Sequence, residues 1–370
     1  MTSTKLEQQT VSSFQLGVIF FAYMTGSSII NIPGPLIGRA GNGAWLSLLI
    51  SGVMGLCIVA CILFLNRRYP GLSFVEYSQR LMGTWLTIVF SIFTLSFLLH
   101  MMSGIVLDSG LFMVSSMMRE TPLYVFTFLI FAVSAATAYA GIEVIARMFM
   151  LIVIVVSIMI GMVLLLALNQ YHPSFLLPIM PDGIKPILHG AYFSFGFPYE
   201  EIFLIAMLLP FVSKKTSHRL PHTIIFSLIL NVLIICVSCL CTIMAFGPLA
   251  GKKTYALFSL AHIVEFQEII QRIESIIGIS LLLGSFMKTT VVLYVLSLYL
   301  SQLFKLTDNR VFVTPLALLG FMVTLVGFDG SADWIGIVSV LHPVWASAAF
   351  VVPLLLVLTV SVFRGKSMDN

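Results

Sequence analysis

Charge is what this chain has least of. Only 9% of its 370 residues are Asp, Glu, Lys or Arg, and 59% are hydrophobic, whereas a soluble domain is roughly a quarter charged and half apolar. So little polar surface excludes a globule coated by water. Cysteine is scarce as well. Cys57, Cys61, Cys236, Cys239 and Cys241 all lie inside apolar runs, where a thiol behaves as a small hydrophobe, so the CxxC spacing of Cys236 and Cys239 is read as packing rather than redox or metal chemistry. There is no HExxH, Walker loop, dinucleotide glycine fingerprint or catalytic triad, and the histidines are scattered. No enzyme activity, metal or cofactor is therefore expected. The net charge is +4 but no basic cluster is dense, which excludes nucleic acid as a partner. The first apolar run continues into Asn31, Pro33 and Pro35 without a small-residue cleavage site, so no removable signal peptide is read.

Long apolar blocks are what the chain has instead, and uninterrupted blocks of this length mark helices that cross a bilayer. Reading them against the polar breaks gives ten spans, at residues 11–36, 44–65, 85–118, 123–140, 144–168, 187–212, 223–246, 271–304, 311–328 and 335–363. The expected fold is all-α and integral to the membrane, one membrane domain over 1–370 with the lipid bilayer around it. The segment 67–83 sets Leu72, Val75 and Leu81 against Glu76, Gln79 and Arg80, a pattern expected to lie along the membrane surface.

Ten spans put both termini on one side. With the termini cytoplasmic, the inner segments hold Lys5, Arg67, Arg68, Arg80, Arg147, Lys214, Lys215, Arg219, Lys305, Arg310, Arg364 and Lys366. The outer segments hold half as many: Arg39, Arg119, Lys185, Lys252, Lys253 and Arg272. That bias favours cytoplasmic termini, and it leaves Asp329 and Asp333 in an outer loop.

The spans repeat. Spans three and eight are the longest, and spans one and six carry Gly/Pro interruptions near their middle: Thr25-Gly26-Ser27-Ser28 before Pro33, and Phe195-Gly196-Phe197-Pro198-Tyr199. Members of each pair are five spans apart. Because five is odd, the second half enters from the opposite side, giving a 5+5 inverted repeat of residues 11–168 and 187–363, and paired broken helices point to a transporter's binding site. Breaks at the midplane leave backbone groups that a ligand, ion or water must satisfy. The outer half of span one, beginning after Ser28, offers a positive dipole end to a carboxylate, and the carbonyls freed at both breaks suit an ammonium. The pair reads as a zwitterion cradle formed by Thr25, Gly26, Ser27, Ser28, Phe195, Gly196, Phe197, Tyr199 and Glu200. The competing reading is that Gly26 and Gly196 only permit close helix packing.

Charges within the spans are functional by default. Glu200 and Glu201 open the inner half of span six, as dipole-favoured caps or as groups for proton or ligand chemistry. Glu143 and Arg147, four apart, are expected to form a structural pair. Asp108 and Glu274 lie toward the outer ends of spans three and eight, within reach of interfacial water, and His100 is expected to be neutral and hydrogen-bonded. Lys288 sits halfway along span eight, followed by Thr289 and Thr290. Two arrangements stand for it: its ammonium fills a cation site on the freed carbonyls around Thr25–Ser28, with Thr289 and Thr290 beside it, or it pairs with Glu200 or another carboxylate.

Several stretches carry a resemblance. Phe14-Gln15-Leu16, Tyr69-Pro70-Gly71, Phe74-Val75-Glu76-Tyr77, Gly141-Ile142-Glu143-Val144-Ile145-Ala146-Arg147 and Arg272-Ile273-Glu274-Ser275 leading to Lys288 resemble the spore germination B-subunit proteins, a branch of the amino acid–polyamine–organocation transporters. The Thr25–Ser28 break is less glycine-rich than the family's form. The resemblance implies a receptor subunit in the spore inner membrane, with the cell membrane as the alternative location, that works with an A subunit and a lipoprotein C subunit and senses a small-molecule nutrient such as an amino acid or a sugar. An amino-acid permease driven by protons or sodium shares the fold with such a receptor, and it and an ion channel subunit opened by the receptor remain alternatives.

Overall fold

The computed structural model describes residues 9–264, 273–327 and 331–364. Expectations resting on Lys5, Gln271, Arg272, Phe328, Asp329, Lys366 and the Asp333 side chain lie outside the described residues. Among those described, the regular secondary structure is helical, and the one β feature is an isolated bridge between Val11 and Val212. Nine helical stretches are long and apolar enough to cross a membrane, and a shorter apolar helix, Arg310–Val326, completes the ten spans.

Span one is broken into α1 (Ser13–Thr25), α2 (Ser28–Asn31) and α3 (Pro33–Ala40). It therefore runs on past the expected end at 36, because Pro33 and Pro35 fall at the start of α3, where a missing N–H costs nothing. Span two is α4 (Ala44–Arg68), ending on Arg67 and Arg68 in its last turn, where the helix dipole favours cations. After the short α5 (Phe74–Met82), spans three, four and five are α6 (Thr84–Phe112), α7 (Leu123–Ala140) and α8 (Ile142–Leu166). Span six is α9 (Ile184–Ser194) and, beyond a break, α10 (Ile205–Leu208); span seven is α11 (Leu220–Phe246), followed by α12 (Ala256–His262). Spans eight, nine and ten are α13 (Glu274–Leu303), α14 (Arg310–Val326) and α15 with α16 (Ser331–Ala346, Val352–Phe363). As expected, α6 and α13 are the longest helices, 29 and 30 residues. Each is about 45 Å long against roughly 30 Å of hydrocarbon.

Local signals explain two of the stretches that carry the resemblance. Ser12 accepts from the Gln15 backbone N–H while its own N–H donates to the Gln15 side chain, and Ser73 and Glu76 do the same at the start of α5. Both are capping boxes, which satisfy orphan N–H groups at a helix start. In the segment at 67–83 the apolar face of α5 meets protein. Phe74, Val75, Tyr77 and Leu81 are buried, and α5 packs on α6, α13 and α16.

The connections sort to two ends. At one end Val11 exchanges backbone hydrogen bonds with Phe211 and Ser213, each 2.9 Å, and the Gln9 side chain accepts from Ile142 N–H at 3.0 Å. At the other end His172 N–H donates to Met244 C=O at 2.9 Å and the Asn42 side chain to Pro178 C=O at 3.1 Å. This alternation is the one a ten-span chain requires.

Candidate functional site

The two breaks are backbone events fixed by packing. At the first, α1 stops at Thr25 and the chain turns through Gly26 and Ser27. A Cβ on Gly26 would lie 2.7 Å from the Gly284 carbonyl oxygen of α13, and one on Gly284 2.5 Å from the Gly26 oxygen. At the second, a wide turn over Phe195–Tyr199 contains Phe197 in extended conformation (φ −145°, ψ 110°), with Pro198 inside it. A Cβ on Gly196 would lie 2.6 Å from the Pro343 ring. Both glycines therefore permit close approach, span one on span eight and span six on span ten.

Between the breaks lies a cavity with room for about 80 Å³ of water-sized space, bounded by Ser27, Asn31 and Pro35 of span one, Met101, Ile105 and Asp108 of α6, Phe193, Phe197 and Glu201 of span six, Thr254 and Tyr255, and Val338 and His342 of α15. Its walls are apolar and its two ends polar. At one end the Lys288 ammonium meets Glu201 Oε2 at 2.6 Å, both residues fully buried, and it stands 4.0 Å above the Phe197 ring and 5.4 Å above that of Tyr23. The Tyr23 hydroxyl donates to Glu201 Oε2 at 3.5 Å, and His342 Nε2 lies 3.6 Å from Glu201 Oε1. At the other end Asp108 accepts from the Asn31 side chain on one oxygen and from the Tyr255 hydroxyl at 3.2 Å on the other.

The expected cradle is thus divided. Ser27 and Phe197 face this cavity. Thr25 and Gly26 face a second, apolar cavity of about 230 Å³ between α8 and α11, where Thr25 also accepts from the Asn231 side chain at 2.9 Å. Ser28 is buried. Phe195 packs on the core, and Tyr199 is buried against Gly55 of span two. The Glu200 side chain accepts from the Ser347 hydroxyl of span ten, and the other Glu200 oxygen and Glu201 Oε1 have no hydrogen-bond partner among the described residues.

Lys288 takes the ion-pair arrangement, with Glu201 rather than Glu200. Thr290 donates to its own helix at Phe286 C=O, 2.7 Å, and Thr289 is buried beside it. Glu143 and Arg147 pair at 3.7 Å, and Glu143 also accepts from Thr10 N–H at 2.9 Å. Asp108 lines the cavity and keeps partial exposure, with Asn31 of span one and Tyr255 as its partners. His100 stacks on Trp345, centroids 4.8 Å apart.

Sequence reasoning passed over Asn31, Tyr255 and His342. The signal for His342 was present, since a titratable residue inside an apolar span is a site candidate by default. Asn31 and Tyr255 carried no such mark.

Ten spans among the described residues, in a 5+5 inverted repeat broken in spans one and six around a central cavity, define a membrane protein with a transporter's fold. Solved structures agree: the nucleobase-cation-symport-1 family transporter MHP1, closed with bromovinylhydantoin bound, has a TM-score of 0.69 at 14% identity, covering 93% of this chain and 77% of that one. MhsT in complex with L-phenylalanine also scores 0.69, at 12% identity, covering 96% and 99%. The model of the family described as spore germination protein matches residues 10–330, and the chain belongs to that family. Spore germination protein KB of Bacillus subtilis (strain 168) is 25% identical over 317 residues, 85% of this chain and 84% of the relative. Spore germination protein YndE of the same organism is 24% identical over 303 residues, 80% and 81%. The chain is a multi-pass, permease-like membrane protein, and its family and fold are not those of enzymes.

Proposed function

We propose that this chain is the membrane subunit of a spore nutrient germinant receptor, and that a small nutrient, an amino acid, triggers germination by binding in the cavity between spans one and six. The observation that carries the reading is a cavity with polar ends, flanked by both broken helices, in a member of a spore germination family. That MHP1 and MhsT hold small molecules supports binding by this fold. Ser27 and Phe197 line the site, and Thr25, Gly26, Ser28, Phe195, Gly196, Tyr199 and Glu200 hold its frame. Lys288, with Thr289 and Thr290, sets the charge at one end through Glu201. The chain sits in the spore inner membrane as a single domain, its repeats divided at 11–168 and 187–363, beside an A subunit and a lipoprotein C subunit.

Spores lacking this chain are expected to lose the response to one nutrient class and keep the others. A normal response to every nutrient overturns the proposal, and uptake of labelled amino acid by the chain alone in proteoliposomes replaces receptor with permease. The termini are cytoplasmic in this reading. Ser217 and Lys252 flank α11 at its two ends, so single cysteines there, in a background without the native ones, label from opposite sides. Labelling of position 217 from outside sealed cells reverses the orientation.

A further inference from the structure

The two polar ends of the cavity differ in charge balance. Glu201 has a cation, the Lys288 ammonium at 2.6 Å. Asp108 has none: its partners are the Asn31 amide and the Tyr255 hydroxyl, and among the described residues no basic group lies within ion-pairing distance of it. Each partner donates to a different oxygen, as donors do to a carboxylate. A carboxylate offers about four acceptor positions, so two donors leave acceptor capacity for a third group. Asp108 is partly buried, and a carboxylate drawn partly out of water without a cation is unfavourable; within a membrane span such a group marks a ligand or ion pathway.

The opposite end also has polar atoms left over. Glu201 Oε1 and both His342 nitrogens have no hydrogen-bond partner among the described residues, although Glu201 is fully buried and His342 is 3% exposed. Both residues line the cavity. They supply donors and acceptors at an end that the Lys288–Glu201 pair leaves electrically neutral, and Ser27 is a further polar residue of the lining. The walls between are the side chains of Met101, Ile105, Phe193 and Phe197.

Resting on the reading of this cavity as the nutrient site, we infer that Asp108 is its ammonium anchor, oriented by Asn31 and Tyr255, and that it confines the site to nutrients carrying a protonated amine. The amine meets a side-chain carboxylate here, not the freed carbonyls of the helix breaks. The ligand's other polar group meets His342 and Ser27, and a small apolar portion spans the walls.

The test is ligand-induced thermal stabilisation of the full chain in lipid nanodiscs. The probes are the protein L-amino acids, their 2-hydroxy-acid counterparts, which replace the amine with a hydroxyl, and neutral hexoses. An amino acid is expected to bind, its 2-hydroxy acid to bind at least about tenfold more weakly, and Asp108→Asn to lose a similar factor, because a charge-assisted hydrogen bond is lost in each case. Asp108→Glu restores part of the binding. If Asp108→Asn is not recovered folded, the amine-against-hydroxyl preference of the unaltered chain decides alone. Equal binding of amino acid and hydroxy acid, a hexose as the tightest ligand, or unchanged affinity in Asp108→Asn overturns the inference while leaving the cavity as the nutrient site. Binding of none of the probes overturns both.

Discussion

Spans five and eight are both long apolar helices, yet one faces the bilayer and the other faces protein. In α8 seven of 25 residues are buried, and Leu151, Ile158 and Leu165 are each more than 60% exposed. In α13 twenty-one of 30 are buried, including Gly284, Ser285, Lys288, Thr289, Thr290 and Ser297. Lipid tails are as apolar as leucine, so burial of apolar surface does not decide which helix goes to the centre. The small and polar residues decide it. Gly284 admits the backbone of span one, and Lys288 requires the Glu201 carboxylate that span six supplies.

The sharpest way to break this contrast is to remove the ion pair. Lys288→Met or Glu201→Gln alone leaves a buried charge without its partner and is expected to cost about 3–5 kcal/mol, read as a lower unfolding temperature of the purified chain. The double substitution recovers much of the loss. Single variants as stable as the unaltered chain would mean that the pair does not hold span eight in place.

A smaller effect is expected at the crossing of spans one and eight. Gly284→Ala pushes a methyl group against the Gly26 carbonyl, which is backbone and cannot swing aside, at a cost of about 1–3 kcal/mol. Gly161→Ala in α8 is the matched comparison, since its Cβ would meet nothing within 4 Å. Equal unfolding temperatures for the two alanine variants would remove the close approach as an explanation.

The least effect belongs to the lipid face. Leu151→Ala, at a position 68% exposed, is expected to change stability by no more than about 0.5 kcal/mol. A loss as large as that of Gly284→Ala would show that another protein surface covers α8.

Much of this was legible because it is local. Ten apolar blocks gave ten crossings, and Gly26, Gly196 and Pro198 marked the two breaks, since a helix interruption is written in the few residues that make it. Phe14-Gln15-Leu16 and Phe74-Val75-Glu76-Tyr77 contain the glutamine and glutamate of two capping boxes, which reach only three residues along the chain. The shared break position in spans one and six pointed to a cavity between them.

The choice between neighbours was not legible. Glu200 and Glu201 are adjacent, and successive helical residues point about 100° apart, so one reaches Ser347 and the other Lys288. Which does which depends on the rotation of the helix after Phe197, and that is set by contacts with spans eight and ten. In the same way Thr25 and Ser27, two residues apart, face different cavities. The sequence by itself determined that this protein crosses a membrane ten times and breaks two of its helices, because hydrocarbon imposes those rules on each segment separately. Only the tertiary structure decided that Asp108, Glu201 and His342 share one cavity, because their meeting depends on how far each helix is turned and how closely its neighbours let it approach.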